Sequence, residues 1–241
     1  MLLKLRALPF FAGLLALLAI VIMLRLGFWQ LARAEQKQLR TQQLEQRLAL
    51  QPLSLQDINR QSGDVADFPV QIIGTLDTNH ILLWDNRVVN GQVGYEVLVP
   101  MTTDYGTVLV NLGWLKAPVR RDQLPELTLP KHRLTLDGKV VVPGHNPISR
   151  EMTESGWPKR IQQPERHYIE SLLQTELLPY LVQVDDTQQF GYLNNWRPVV
   201  MPAEKHVAYA VQWFGLALAC LIITLVAIAK QRKKYGKSVS P

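Results

Sequence analysis

Two long apolar runs near the two ends of the chain restrict it to few architectures. Val207 to Ala229 reads VAYAVQWFGLALACLIITLVAIA with no charged residue. As a helix rising about 1.5 Å per residue it would be roughly 35 Å long, enough to cross a bilayer. Ala7 to Leu24 reads ALPFFAGLLALLAIVIML, shorter and equally uncharged. Its Pro9 falls in the first turn, where a missing backbone N–H is tolerated. A basic start, an apolar middle and Ala32–Ala34 as a crude cleavage site give a competing reading of the first run as a signal peptide. The run is long for that role and Arg25 separates it from the site, so an uncleaved anchor is the expectation.

The basic balance of the chain follows from these spans. Of the 26 Lys and Arg, seven lie at the ends with no acid beside them: Lys4, Arg6, Lys230, Arg232, Lys233, Lys234 and Lys237. Removing them from the formal net charge of +6 leaves −1 for everything between. The charge is therefore a topology signal and gives almost no support to nucleic-acid binding. The tail's basic residues face only Lys205 across the second span, which places the tail in the cytoplasm by the positive-inside rule. The expected order is a cytoplasmic N-terminus (1–6), a first span (7–24), an extracytoplasmic domain (25–206), a second span (207–229) and a basic cytoplasmic tail (230–241). In a Gram-negative bacterium the domain would be periplasmic, with both termini cytoplasmic and the spans in the inner membrane; otherwise it would face the matching mitochondrial space.

The expected domain contains no cysteine; Cys220 lies mid-span. No disulfide framework and no Cys-x-x-Cys pair for thiol redox or copper chemistry is possible there. LARAEQKQLRTQQLEQRLAL lacks Gly and Pro, and continues the first span as helix to about Leu50, before Pro52. From Phe68 the texture changes to short β-rich runs: FPVQIIGTL, HILLWDNRVV, GYEVLVP, TVLVNLGWL, HRLTLDGKVVVP, YLVQVDD and NWRPVV. Asn90–Gly91 is the strongest hairpin signal. PERHYIESLLQTEL reads as a helix burying Ile169, Leu172 and Leu173. The fold class is thus a membrane protein whose two transmembrane α-helices flank a mostly antiparallel β (α+β) domain, a small barrel or curled sheet.

Enzyme signatures are missing. There is no phosphate loop, no nucleophile elbow and no zinc helix motif. None of His80, His132, His145, His167 and His206 has another histidine at helical ligand spacing. Asp185 and Asp186 are adjacent on a strand and point to opposite faces, as a strand end rather than a catalytic pair. Arg87 reads as a hairpin or salt-bridge partner and Trp114 as a strand residue.

His206 stands apart. On a helix His206, Tyr209, Ala210, Trp213 and Ala217 lie along one stripe, with the imidazole at the outer membrane interface. A flat, apolar, metal-bearing ligand could lie against that stripe with the imidazole as axial ligand. Interfacial enrichment of Tyr and Trp explains the same stripe without a ligand. GFWQ at Gly27–Gln30 lies at equal depth on the first helix, where Gly27 permits close approach and Gln30 could bond Gln212 across the pair.

LGFWQLARAEQK (Leu26–Lys37), DNRVVNGQVGYEVLVPM, VLVNLGWL and HVAYAVQWF occur in this order. Together they resemble the motifs of the Surfeit-locus-one family, over nearly the whole chain. The resemblance implies a two-span assembly factor for haem-copper cytochrome c oxidase, not an enzyme. It further implies transient haem a at the outer interface, with oxidase subunit I, haem a synthase and membrane lipids as partners and no nucleic acid. By the same resemblance His206 is the axial iron ligand, Tyr209, Trp213 and Trp29 wall the pocket, and Gln30 or Arg33 reaches the polar edge of the macrocycle. The chain departs from the family pattern at Leu112, where many members have arginine, and at Glu204 and Lys205, where many have asparagines. The alternative function is a cofactor-free scaffold that stabilises oxidase subunits during assembly; an enzyme of haem modification or metal reduction fits less well, for want of gathered redox or acid–base residues.

Overall fold

The computed structural model describes residues 2–120, 122–144, 156–198 and 200–237, with side chains described from residue 11 to residue 231 outside the gaps. His145 and the side chains of Lys4, Arg6, Arg232, Lys233, Lys234 and Lys237 lie outside the described residues. The chain forms two compact units, 1–43 with 198–241, and 44–197.

The first unit holds the long helix α4 (Ala203–Lys237) and all but the last five residues of the other long helix, α1 (Leu2–Leu48). Both are long and apolar enough to cross a membrane. Burial along α1 follows a heptad seam that includes Gly13, Ala16, Met23, Gly27, Gln30 and Ala34. On α4 the same three-four spacing picks out Ala203, His206, Ala210, Trp213, Ala217, Cys220 and Thr224. Small residues dominate both seams, and the helices meet closely at Gly27, where a Cβ would run into the Phe214 ring, as helices do in lipid, where shape and contact rather than water exclusion drive association. The outward faces carry exposed Phe11, Leu14, Leu17, Leu218, Ile222 and Leu225, which suit hydrocarbon.

The second unit is a closed β-barrel with additions. Its strands are β1 (Leu53–Ser54), β2 (Pro69–Leu76), β3 (Leu82–Val89), β4 (Gln92–Thr103), β5 (Gly106–Lys116), β6 (Leu134–Val141), β7 (Lys159–Ile161) and β8 (Leu177–Val184). The order β2-β6-β8-β5-β4 closes through a β2–β4 pairing. Closure leaves none of the five ring strands with a free edge. Within the ring only β5–β8 is parallel. β3 and then β7 extend from β4, while β1 adds to β2.

The two-residue period sorts side chains between two cores. Tyr95, Val97, Val99 and Met101 of β4 face the barrel interior with Val108, Val110 and Leu112 of β5. Leu98 and Leu109, one position out of phase, join Leu82, Ile161, Ile169 and Leu181 outside. Helix α3 (Arg166–Leu173) covers that outer core with fully buried Ile169. Glu170 ties it down, accepting the Leu177 N–H at 2.9 Å and Arg166 Nε at 2.8 Å. The Leu177 amide first, and then Arg166, holds this carboxyl below the usual range.

The Asn-Gly turn joins β3 to β4 with φ of 50° at Asn90 and 74° at Gly91, the type I′ signature. The chain departs from expectation at NWRPVV. Residues 194–198 are irregular, and the nearest pairing is the single Trp114–Leu193 bridge. Pro198 has no N–H to give a ladder. Asn195 instead spends its amide on Glu96, and the Trp196 N–H is taken by Asn194 Oδ1. Short elements without a hydrophobic period also formed: β7, and α2 (Leu55–Arg60), started by a Ser54–Asp57 capping box.

Candidate functional site

The polar pair at the heart of the helix seam is His206 and Gln30. Their positions in the two heptads bring them together: His206 Nδ1 lies 2.7 Å from Gln30 Oε1. An amide oxygen only accepts, so Nδ1 carries the proton and donates. In the neutral form of the ring the second nitrogen, Nε2, is then the unprotonated acceptor. It is buried and has no hydrogen-bond partner among the described residues. His206 as a whole is 9% exposed.

The neighbourhood is built for close approach. Ala210, Ala217 and Ala34 are almost fully buried. Phe214 lies against the bare Cα of Gly27 and packs edge-on to Phe28, ring centroids 5.2 Å apart. Trp213 is half-buried within the seam. Tyr209 is 44% exposed and Trp29 50% exposed. Three residues on from His206, Tyr209 stands on the flank of the seam rather than in it. Arg33 is exposed, stacks 5.6 Å over the Trp29 ring and donates to Gln36 Oε1 at 3.0 Å. Gln30 therefore meets His206 rather than Gln212, which is exposed.

A neutral imidazole with an orphaned Nε2 lone pair is the donor chemistry that ferric or ferrous haem takes as an axial ligand. On that count the residues fit haem. The amide acceptor on Nδ1 is the outer support that ligating histidines ordinarily have. Because Nε2 is enclosed, a ligand reaches it only when the helices part at this level or the side chain swings out. Among the described residues, no group of three or more His, Cys, Asp and Glu is gathered as a metal site.

The other motif residues converge inside the barrel unit. Buried Glu96 accepts from Arg87 Nε at 2.8 Å, Asn195 Nδ2 at 2.9 Å and Asn111 Nδ2 at 2.6 Å. Asn111 Oδ1 in turn accepts the Gly113 N–H, and Trp114 Nε1 donates to the Arg87 carbonyl at 2.9 Å. Arg87 also stacks 4.2 Å over Trp84. Each polar member has a partner, so the cluster holds β3, β4, β5 and the 191–197 segment together. The ion pair and hairpin contact expected of Arg87, and the strand role expected of Trp114, are both present. Leu112 is fully buried in the barrel core.

The sequence profile of the SURF1 family matches residues 17–218, from within α1 to within α4. The chain belongs to the SURF1 family. That match spans both Gln30 and His206 and the whole barrel. A SURF1-like protein of Rickettsia felis (strain ATCC VR-1525 / URRWXCal2) is 21% identical over 232 residues, covering 89% of this chain and 95% of the relative. The SURF1 family is one of assembly factors, linked to cytochrome c oxidase.

Two features of this SURF1-family chain were missed from sequence. One is the extension of the small-residue seam to Ala34 and Ala203, which continue at three-four spacing the lines that Gly27, Ala210 and Ala217 mark. The other is Asn195, whose partner Glu96 lies 99 residues away and leaves no local signal.

Proposed function

We propose that this SURF1-family protein holds haem a at the outer membrane interface and assists its insertion into the main subunit of cytochrome c oxidase. One observation carries the reading: a buried histidine whose Nδ1–H is engaged and whose Nε2 lone pair has no partner. An unmet buried acceptor is destabilising by about 1–3 kcal/mol, a penalty that ligation relieves. His206 would hold the haem iron through Nε2. Trp213, Tyr209 and Trp29 supply apolar and aromatic surface, and Arg33 supplies a cation for a carboxylate edge. Haem a, when bound, supplies the iron that takes the Nε2 lone pair. A single protein ligand suits a carrier that must release its cargo. In this reading the barrel unit is periplasmic and both termini are cytoplasmic, an orientation that the basic tail after the second span supports. Haem a synthase and the main oxidase subunit are the partners on either side of the transfer.

The test is the visible spectrum and extracted haem of the protein purified in detergent from cells making haem a, wild type beside His206→Ala. Haem a in the first and little in the second supports the carrier; equal haem in both overturns it.

A second reading, a cofactor-free scaffold for oxidase subunits, is favoured by the Glu96 cluster, because two family-like motifs are spent on holding the barrel together. It predicts mild effects of His206→Ala on oxidase yield and severe ones of barrel-surface changes.

A further inference from the structure

We infer that Gln30 is the positioning residue of His206: by accepting the Nδ1 proton it fixes the imidazole tautomer, assigns the lone pair to Nε2 and anchors the ring between the two helices. The assignment stands on three facts. The pair is short, 2.7 Å, and joins positions 176 residues apart in sequence, so it is set by the helix packing rather than by local geometry. The acceptor is an amide oxygen, which cannot donate to an unprotonated Nδ1. Nε2 is buried with no partner, so no competing hydrogen bond pulls the proton to that side. A free neutral imidazole can carry its proton on either nitrogen; here the environment selects one.

The chemical identity of the acceptor matters as well. A carboxylate in this place draws the Nδ1 proton strongly and gives the ring imidazolate character, which strengthens its bond to a metal. A neutral amide draws it weakly. Gln30 therefore orients the ligand without making it a strong one, a combination suited to a group that is handed on. This consequence, unlike the tautomer, rests on the haem reading above.

The experiment has a haem-free arm and a haem-loaded arm. The full-length protein, labelled with 15N-histidine and held in detergent micelles without haem at a pH where imidazole is neutral, is compared as wild type, Gln30→Glu and Gln30→Leu. The His206 resonances are assigned by their loss in His206→Ala. The wild type should show a single tautomer protonated on Nδ1. Gln30→Glu should keep it, and Gln30→Leu should lose it. A wild-type His206 protonated on Nε2 overturns the inference, and that spectrum decides even if the Leu variant fails to insert. An unchanged tautomer in a folded Gln30→Leu overturns it too. In the loaded arm, haem release should be about tenfold faster in Gln30→Leu and about tenfold slower in Gln30→Glu than in wild type. Haem retained by His206→Ala sinks the carrier reading and leaves the tautomer result standing. Haem lost by His206→Ala but released at equal rates from all three Gln30 forms sinks the tuning by Gln30 alone.

Discussion

Gly27 and Phe214 meet so closely across the helix seam that a Cβ on Gly27 would lie 2.5 Å from Phe214 Cε1. The phenyl ring occupies the place a side chain would need, about one turn from Gln30 on the first helix and about two turns from His206 on the second. Gly27→Leu should therefore part the helices at the level of the candidate site and destabilise the pair by about 1–3 kcal/mol. Gly13→Leu, with nothing within 4 Å of its Cβ, is the control. Melting in detergent followed by tryptophan fluorescence should show a lower midpoint for the first and little change for the second. Equal midpoints would mean that Phe214 turns aside without consequence.

Glu96 is the hub of the barrel's polar cluster, with donors from three elements on its two oxygens. Truncating it leaves Asn111 Nδ2 buried without its partner. Arg87, on the other hand, is partly exposed and regains water. Glu96→Ala should cost about 2–4 kcal/mol of barrel stability, between the value for one orphaned donor and that for a fully buried charge. Glu96→Gln keeps the shape and acceptance on one oxygen and should cost less. Urea unfolding in detergent checks the order.

The seam and this cluster show which parts of the molecule were legible from residues alone. The spans, the seven β-runs apart from NWRPVV, the Asn90–Gly91 hairpin and helix α3 announce themselves because apolar periodicity and turn chemistry are local. Leu98 and Leu109 were legible as strand residues, but not as members of an outer core, because alternation tells faces apart without saying what covers each one. Barrel closure depends on β2 meeting β4 at Gly74–Thr103, and no residue in either strand encodes that partner. At the candidate site His206 and Gln30 were each visible, as interfacial polar residues in apolar runs. Their pairing was not, since the register of two antiparallel helices is fixed by Gly27, Ala34 and Ala210 acting together.

Tyr180 gives the barrel unit an alkaline limit. Its ring is buried in the core and its hydroxyl donates to Asn59 Oδ1 at 2.6 Å. Burial pushes its pKa up from 10.0 to about 12. Between those values the unfolded chain gives up this proton while the folded chain keeps it. The unfolded state then binds fewer protons, so stability falls as pH rises. The contribution is full below about pH 10 and is lost progressively as pH rises through about 12. Tyr180→Phe removes the ionisation and should flatten the stability profile over that range, at the expense of the hydrogen bond to Asn59, whose exposed side chain regains water. Denaturant midpoints at stepped alkaline pH, alongside phenolate absorbance, would show the two curves converging. A Phe variant that loses stability in parallel with wild type would assign the alkaline limit to other groups.

The β3–β4 hairpin holds two glycines that should respond to very different degrees to the same substitution. Gly91 has φ of 74° and open space around its missing side chain. Gly91→Ala meets only the backbone strain of the left-handed region, roughly 1 kcal/mol, and the hairpin should survive. At Gly94 a Cβ would stand 2.2 Å from the Leu115 carbonyl oxygen and 2.5 Å from the Trp114 indole. Neither neighbour can yield cheaply. The carbonyl belongs to the β4–β5 ladder, and the indole is held by its bond to the Arg87 carbonyl. Gly94→Ala must therefore displace Trp114 or break the ladder, and with it the packing that carries Glu96 and Asn111. A loss of more than about 3 kcal/mol is expected, beyond ordinary overpacking because backbone as well as side chain must move. Protease resistance of the full-length protein in detergent separates the cases: Gly91→Ala should resist like wild type, and Gly94→Ala should be cut within the barrel while the two helices persist. Comparable resistance in both would mean that Trp114 does not lock the β4–β5 pairing.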